Sequence, residues 1–274
     1  MFAGNKFSFK LGKKTYIMGI LNVTADSFFD GGLYNSPEKA LNHAKQMLVD
    51  GADVIDVGAQ STRPGCTLLS SSEELEIIKN YLPMLYDATG AVISVDTFYP
   101  EVAEYAIQNG AAIINDVSGV FNEDMAEIIR KYNCGWVIMH TGGGDAQIVP
   151  NYKTSVTDDV ISFFQEMLKK CENFGIRKEQ VMLDMGIGFG KTHIQNIELI
   201  KNINKIKIKD VALLTALSSK RVVANATNTD GYDRVYGTIA ADVLAIAGGT
   251  DFIRVHNVKE NALAAKMADA ITRG

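Results

Sequence analysis

The chain has 274 residues, of which 47% are hydrophobic and 22% charged, and its 27 basic and 32 acidic side chains give a formal net charge of −5. This apolar fraction is too high for a disordered chain, and the slight acidity argues against a nucleic-acid-binding protein, which would carry a basic face. No apolar run reaches the roughly 18 residues that a membrane-spanning helix needs, so no membrane span is predicted.

Eight short apolar runs rich in β-branched residues recur along the chain. Each is hydrophobic almost throughout rather than at alternate positions, which is typical of strands buried on both faces of a parallel sheet. The runs are Tyr16 to Leu21, Val54 to Val57, Val92 to Val95, Ala111 to Ile114, Trp136 to Met139, Val181 to Leu183, Val211 to Leu214 and Phe252 to Val255. Ahead of them, Phe7 and Phe9, around Gly12, predict a short N-terminal hairpin that caps the bottom of the sheet.

Helical segments separate the runs. Ser36 is a predicted N-cap with Pro37 at the first helical position, and Gly51 ends that helix. Later apolar stripes at helical spacing predict further helices, among them Ile194 to Ile203. Eight strands alternating with helices predict an α/β fold, a single (β/α)8 TIM barrel that spans residues 1–274 as one domain. The alternative is an open doubly wound sheet, which would have fewer strands and a ligand-binding turn near its start.

Polar or charged residues follow every predicted strand, at the end of a barrel where active sites form. They are Asn22, Gln60 to Arg63, Asp96, Asn115, His140, Asp184, Ser218 to Lys220, and Arg254 with His256. Helix capping explains any one of them, whereas eight at one rim favour a functional site.

Three of these residues are hydrogen-bond acceptors or amides. Asp96, Asn115 and Asp184 suit the edge of a flat heterocycle with two adjacent N–H donors, because a carboxylate can accept both hydrogen bonds. The alternative for the two aspartates is that they cap the turns that follow them.

The remaining rim residues suit an anion. Arg63, Lys220, Arg254 and His256 are cationic or can become so, and together with helix N-termini they could hold a phosphate or diphosphate. The alternative is salt bridging to the rim aspartates. Asn22 offers a neutral oxygen for a Mg²⁺ whose other ligands are phosphate and water, although a turn-forming asparagine explains it equally well.

A glycine-rich segment, Gly186 to Thr192, has the look of a phosphate-binding loop. Its leading glycine would fall at Met185, so the spacing fails and the segment is not predicted to bind phosphate in that manner. No Ser-His-Asp or Cys-His arrangement can be assigned from spacing either.

Several segments around these residues resemble the signature motifs of the dihydropteroate synthase family. They are Met18 to Phe28, Asp56 to Gly65, Ser94 to Thr97, Ile114 to Gly119, Gly186 to Thr192, and Arg254 to His256. The motifs occur in the family's order and span nearly the whole chain, so the resemblance is highly specific.

The resemblance implies an enzyme of folate biosynthesis that joins dihydropterin-6-ylmethyl diphosphate to 4-aminobenzoate and releases diphosphate. It implies a site divided among the pterin, the diphosphate, a Mg²⁺ ion and the aminobenzoate. By this resemblance the pterin would be held by Asp96, Asn115, Asp184 and Lys220. The diphosphate would be held by Arg254 and His256, with Thr62 and Asn22 nearby, and Mg²⁺ by Asn22. Arg63 and Ser218 would border the aminobenzoate. Lys220, Arg254 and His256 are the expected catalytic residues.

The sequence departs from the family pattern in its loops. Ala25 and Met185 stand where prolines are usual, Gln60 replaces a glutamate, and Thr141 to Asp145 replace a stretch containing Met and Pro. Ser219 replaces an arginine, which removes a cation where an anionic aminobenzoate should arrive. Two alternatives stay open. The first is an enzyme that shares the pterin pocket but uses another acceptor, or a methyltetrahydrofolate-type methyltransferase of the same barrel superfamily. The second is a non-catalytic pterin-binding paralogue. Arg254-Val255-His256 argues against the methyltransferase, which has no diphosphate to bind.

The expected partners are these small molecules, with no nucleic acid and no membrane. A homodimer is expected because family members are often dimers, and Val243 to Ala247 with the final helix could supply the contact. Three widely spaced cysteines, Cys66, Cys134 and Cys171, form no metal-binding pattern and favour free thiols in the cytoplasm, with a disulfide as the alternative. The first residues lack the apolar segment of a signal peptide.

Overall fold

A computed structural model of the chain describes residues 1–23, 36–60, 68–142 and 149–274. The strands are β1 (Phe2–Gly4), β2 (Phe7–Phe9), β3 (Tyr16–Asn22), β4 (Val54–Gly58), β5 (Ile93–Asp96), β6 (Ile113–Asp116), β7 (Gly135–Met139), β8 (Val181–Asp184), β9 (Ala212–Thr215) and β10 (Phe252–Val255). The helices are α1 (Pro37–Asp50), α2 (Ser71–Thr89), α3 (Pro100–Gln108), α4 (Glu123–Tyr132), α5 (Val156–Asn173), α6 (His193–Lys201), α7 (Ile203–Ile206), α8 (Arg221–Thr227), α9 (Arg234–Ala247) and α10 (Val258–Thr272).

Strands β3 to β10 close into a barrel in sequence order, with β10 pairing back onto β3. Every pair in the barrel is parallel, and helices separate the strands along the chain. The predicted (β/α)8 barrel is therefore confirmed, and the open doubly wound sheet is excluded because no strand of the barrel is left as an edge.

The predicted N-terminal hairpin is present, but its turn is not at Gly12. β1 and β2 pair antiparallel with Phe2 opposite Phe9, so the chain reverses at Asn5 and Lys6. The hairpin packs its aromatic rings against the first residues of two barrel strands: the ring centroids of Phe2 and Phe252 are 5.7 Å apart. The hairpin thus closes the end of the barrel at which the strands begin.

Local signals set the ends of the first helix as predicted. The Ser36 side chain accepts a hydrogen bond from the Lys39 N–H, and Pro37 is the first helical residue. Gly51 ends α1 in the left-handed region with φ 110°, a conformation that glycine adopts without a steric penalty. By contrast, the single helix predicted over Ile194 to Ile203 is divided into α6 and α7 at Asn202.

Inward-pointing side chains of the barrel form an apolar layer and, above it, a polar layer. Alternate residues of a strand face the same side. Residues of the lower layer belong to one buried hydrophobic cluster that includes Val54, Ile113, Met182 and Phe252. Two positions farther along the same strands lie Asp56, Asn115, Asp184 and Arg254. The polar layer therefore occupies the barrel interior near the carboxyl ends of the strands.

The remaining expectations concern the cysteines and the membrane. Cys134 and Cys171 are free and buried, and Cys66 lies outside the described residues. Among the helices of the described part of the chain, none has the length and apolar character needed to cross a bilayer.

Candidate active site

Arg254 joins the carboxylates of two neighbouring strands. Its Nε donates to Asp56 Oδ2 at 2.6 Å and its Nη2 donates to Asp96 Oδ2 at 2.8 Å. Asn115 donates from Nδ2 to the same Asp56 oxygen at 3.1 Å. Four residues from β10, β4, β5 and β6 are therefore held in one hydrogen-bonded group inside the barrel mouth, and charge-assisted bonds of this kind are the stronger ones.

Burial governs the charge of this group. Desolvation raises the pKa of Asp96 to about 7, against the opposing effect of Arg254, and the nearby Asp56 carboxylate raises it further. Burial alone would lower the pKa of Arg254, but Asp56 and Asp96 raise it above its ordinary value, so the guanidinium stays charged. The Arg254 guanidinium lies between two carboxylates. It can therefore bind an anionic ligand only through its remaining N–H groups, or after the ligand has displaced one of the two carboxylates.

Two buried acceptors of this group have no partner among the described residues. They are Asn115 Oδ1 and Asp56 Oδ1. A buried acceptor without a hydrogen bond is costly, and such atoms in native proteins commonly mark a ligand or water site. The mouth of the barrel can therefore accept hydrogen bonds from a molecule that carries N–H or O–H donors.

Asp184 and Lys220 form the other half of the site. Asp184 Oδ1 accepts a hydrogen bond from the Gly186 N–H at 2.8 Å, and Lys220 Nζ donates to the Ile187 carbonyl oxygen at 2.5 Å while lying 4.8 Å from the centre of the Phe189 ring. Burial raises the pKa of Asp184 and lowers that of Lys220 to about 8, and each charge opposes the shift of the other.

The two halves lie close enough to interact. Arg254 lowers the pKa of Asp184, and Arg254 and Asp96 both act on Lys220. Asp96, Asn115, Asp184, Lys220 and Arg254, which the sequence predicts at one site, are thus brought to a single mouth. The proposed alternative of salt bridging between rim cations and aspartates is also present, at Arg254.

Ser218 and His256 form a pair beside this group. Ser218 Oγ lies 2.9 Å from His256 Nδ1, and it also accepts a hydrogen bond from the His256 backbone N–H at 3.1 Å. The serine therefore fixes the orientation of the imidazole ring, a contact that the sequence did not indicate.

Asn22 ends β3, directly beside Gly58 of β4. Its side chain is half-buried, and a Cβ placed on Gly58 would lie 3.4 Å from Asn22 Oδ1, in ordinary van der Waals contact. Thr62 and Arg63 lie outside the described residues. In the part of the chain that the structure describes, no group of three His, Cys, Asp or Glu side chains could hold a metal ion.

Two other polar residues at strand ends are held by helices rather than by the central group. Gln60 donates from Nε2 to Glu74 Oε2 on α2, and His140 Nε2 lies 2.9 Å from Asp159 Oδ2 on α5. Burial lowers the pKa of His140 to about 4, so its imidazole is neutral at pH 7. A polar residue at a strand end is therefore not always a site residue, because some of these residues bind the outer helices instead.

Two buried charged residues close to the predicted ones, Asp56 and Lys191, are not among the site residues predicted from the sequence. Asp56 is fully buried and bonds both Arg254 and Asn115. The signal was available, because Asp56 interrupts an otherwise apolar strand. Lys191 was set aside with the glycine-rich segment, and its contacts could be known only after the loop had folded around it.

The fold is a (β/α)8 barrel whose mouth holds hydrogen-bond acceptors that lack a partner in the described part of the chain, beside an arginine and a lysine, and this defines the class of protein as a (β/α)8-barrel enzyme. The family model described as "Pterin binding enzyme" matches residues 18–256. This match covers most of the chain, which therefore belongs to the pterin-binding enzyme family.

Several relatives of the chain are dihydropteroate synthases. The dihydropteroate synthase of Clostridium beijerinckii is 40% identical over 267 residues, covering 97% of each chain. The dihydropteroate synthase of Clostridium difficile, solved in the presence of pteroic acid, has a TM-score of 0.90 and 41% identity and covers 97% of this chain and 100% of its own. The Xanthomonas albilineans enzyme, solved with 4-aminobenzoic acid, has a TM-score of 0.87 and 34% identity, covering 95% of this chain and 94% of its own. The family predicted from the sequence is thereby confirmed.

Proposed function

We propose that the protein condenses dihydropterin-6-ylmethyl diphosphate with 4-aminobenzoate to give 7,8-dihydropteroate and diphosphate. The observation that carries the proposal is the meeting of buried Asp96, Asn115 and Asp184 with half-buried Lys220 and Arg254 at the barrel mouth. In this reaction the bond from the pterin methylene carbon to the diphosphate oxygen breaks, and its electron pair leaves with diphosphate. The aromatic amine bonds to the same carbon and loses a proton.

The pterin would be held by the acceptors of the mouth. A pterin edge offers adjacent N–H donors, which suit the Asp184 carboxylate and the unpartnered Asn115 Oδ1. Lys220 supplies a donor for a ring nitrogen or carbonyl oxygen. Because all three groups are fixed by strand and loop contacts, the ring would be oriented before the chemistry begins, which is a large source of rate enhancement.

The diphosphate would be bound by Arg254 and His256. The Asp56 and Asp96 bonds use two of the five N–H groups of the guanidinium, which leaves donors for phosphate oxygens. Ser218 holds the His256 ring in place at Nδ1. These groups would stabilise the negative charge that develops on the leaving diphosphate. The aromatic amine is itself the nucleophile, so the reaction needs none from the protein.

Asn22 fits a magnesium site as one ligand oxygen. Its half-buried amide beside Gly58 suits an ion that takes most of its ligands from phosphate and water. When bound, Mg²⁺ would neutralise diphosphate charge and make diphosphate a better leaving group.

A second function is favoured by one departure, Ser219. It lies between Ser218 and Lys220 with a backbone φ of 58° and replaces the arginine that is usual in the family. A guanidinium still lies nearby, since Arg234 Nη1 donates to the Ser219 carbonyl oxygen at 3.3 Å. The loss of the usual arginine favours an acceptor other than 4-aminobenzoate as the alternative, whereas the nearby Arg234 guanidinium favours 4-aminobenzoate itself.

One assay tests the proposed function. The purified protein is mixed with the pterin diphosphate, 4-aminobenzoate and Mg²⁺, and both diphosphate and dihydropteroate are measured. We expect equal amounts of the two products and no diphosphate when the amine is left out. Turnover with another arylamine alone would favour the alternative acceptor, and calorimetric binding of pterin diphosphate without turnover would favour a non-catalytic paralogue.

We also infer a homodimer that uses α9 and α10. These helices pack together and expose large apolar side chains at helical spacing, namely Tyr236, Leu244, Leu263, Met267 and Ile271. Clustered exposed apolar residues mark interaction surfaces, and a twofold dimer would cover the same patch on both copies. Within Val243 to Ala247, however, Ala245 and Ile246 are buried in the core, so Leu244 is the large apolar side chain of that segment that is available for the contact.

Light scattering after size-exclusion chromatography tests the dimer. Leu263→Asp combined with Met267→Asp should convert it to a monomer. Val49→Asp, at an exposed apolar residue of α1, is the matched control and should leave the mass unchanged. A monomeric wild-type protein at micromolar concentration would contradict the inference.

A further inference from the structure

Lys191 is a buried lysine next to the site, and its amine is enclosed by backbone carbonyl groups. Nζ donates to the carbonyl oxygens of His140 at 3.0 Å, Gly186 at 3.0 Å and Phe189 at 2.9 Å. An ammonium group has three protons, so these contacts use all of them. Lys191 is therefore not a free cation for phosphate, and its charge is directed at the loop formed by residues 185–190.

The loop can surround the amine only in an unusual backbone conformation. Gly186 has φ 64°, and a Cβ there would lie 1.9 Å from the His140 carbonyl oxygen, so the loop packs directly on the end of β7. Asn196 of α6 holds the loop from outside, because its Oδ1 accepts from the Gly188 N–H at 2.7 Å and its Nδ2 donates to the Lys191 carbonyl oxygen at 3.2 Å.

The same loop orients two residues of the pterin half of the site. The Gly186 N–H binds Asp184 Oδ1, while the Ile187 carbonyl oxygen and the Phe189 ring contact Lys220 Nζ. Two of the residues that make these contacts, Gly186 and Phe189, also accept hydrogen bonds from Lys191. Each contact that fixes Asp184 or Lys220 is thus at most one residue away from a carbonyl bound by Lys191.

We propose that Lys191 is a positioning residue for pterin binding, which acts by fixing the 185–190 loop against β7 so that Asp184 and Lys220 are aligned. The inference rests on the proposed function. It concerns the pterin half of the site, since Arg254 and His256 are fixed by Asp56, Asp96 and Ser218 instead.

A purely structural lysine can be distinguished from a positioning one. Methionine is close to lysine in size but has no ammonium group, so in Lys191→Met the carbonyl oxygens of His140, Gly186 and Phe189 lose this donor while the volume is kept. Lys191→Met therefore tests the role of the charge. Lys201→Met, at an exposed lysine on α6, is the matched control.

Calorimetry with two probes, a phosphate-free 6-hydroxymethyl pterin and inorganic diphosphate with Mg²⁺, measures the two halves separately. We expect Lys191→Met to bind the pterin about tenfold more weakly, as expected when hydrogen-bonding groups lose their alignment, and to bind diphosphate within about twofold of wild type. Lys201→Met should match wild type with both probes.

Pterin affinity within twofold of wild type, or equal losses for both probes, would overturn the inference. If Lys191→Met does not fold, Asn196→Ala decides the question, since it releases the same loop without removing the buried charge. It should weaken pterin binding selectively, and unchanged pterin affinity would count against the role of the loop. If the wild-type protein binds no pterin, the proposed function fails, whereas normal wild-type binding with an unaffected variant rejects only the role of Lys191.

Discussion

At the end of the barrel where the strands begin, Phe2, Phe9, Tyr16 and Phe252 pack ring against ring. At the end where the strands finish, the buried carboxyl groups of Asp56 and Asp96 bind the half-buried guanidinium of Arg254. The first end removes apolar surface from water and so stabilises the fold. The second end carries desolvated charges and unpartnered acceptors, which are costly until a ligand satisfies them. Stability and binding are therefore assigned to opposite ends of one barrel, and substitutions at the two ends should affect different properties.

The largest expected effect is on stability, at the aromatic end. Phe252→Ala would remove a fully buried ring that contacts Phe2, Phe9 and Tyr16. We expect the free energy of unfolding in urea to fall by about 3 to 5 kcal/mol. The KM values for both substrates should stay near those of wild type below the melting transition. A large change in KM with unchanged stability would contradict the division between the two ends.

The next effect is on affinity, at the polar end. In Asp184→Asn the amide oxygen can still accept the hydrogen bond from the Gly186 N–H. The amide NH2 group would then face the N–H donors of the pterin and could not accept hydrogen bonds from them. We expect the calorimetric Kd for a phosphate-free pterin to rise about fiftyfold, from one unsatisfied buried pair. Circular dichroism checks that the variant is folded. Wild-type affinity in a folded variant would refute the assignment of Asp184.

Glu74, beside the polar end, should make the stability of the fold depend on pH. Burial raises its pKa from 4.5 to about 7, against the hydrogen bonds from Thr97 and Gln60. The folded protein thus holds this proton more tightly than the unfolded chain does. The resulting stabilisation is complete below pH 4.5 and is lost as the pH rises through 7.

Glu74→Gln removes that titration and keeps an acceptor for Gln60. The variant should match wild type in urea unfolding at pH 4.5, and it should be more stable by about 2 kcal/mol at pH 8. A constant difference between the two proteins across this range would show that Glu74 does not titrate in it.

The smallest expected effect separates the two parts of the ligand. His256→Ala should weaken binding of the pterin diphosphate about tenfold, which corresponds to the loss of one charge-assisted contact, and should leave a phosphate-free pterin nearly unaffected. Asp184→Asn is the comparison variant, because it should weaken the binding of both ligands. Equal losses for both ligands in His256→Ala would argue against a role at the diphosphate.

The alternation of strands and helices was predictable because it depends on local patterning. Continuous apolar runs, the Ser36 N-cap and the Gly51 stop need only neighbouring residues, and the strand-end rule placed Asp96, Asn115 and Asp184 at the same edge. Two local predictions were wrong: one continuous helix over Ile194 to Ile203, and a hairpin turn at Gly12. The division of that helix at Asn202 and the position of the turn depend on packing against other elements.

By itself, then, the sequence determined the barrel, the family and most of the polar residues of the mouth, since hydrophobic period and motif order are properties of the chain in one dimension. Only the tertiary structure decided which polar residues meet. Asp56 and Arg254 are 198 positions apart and share a hydrogen bond, and one of the three acceptors of Lys191 is His140, 51 positions away at the end of β7. Contacts of that kind arise when the strands assemble into the barrel, because assembly brings strand ends from the whole chain to one rim.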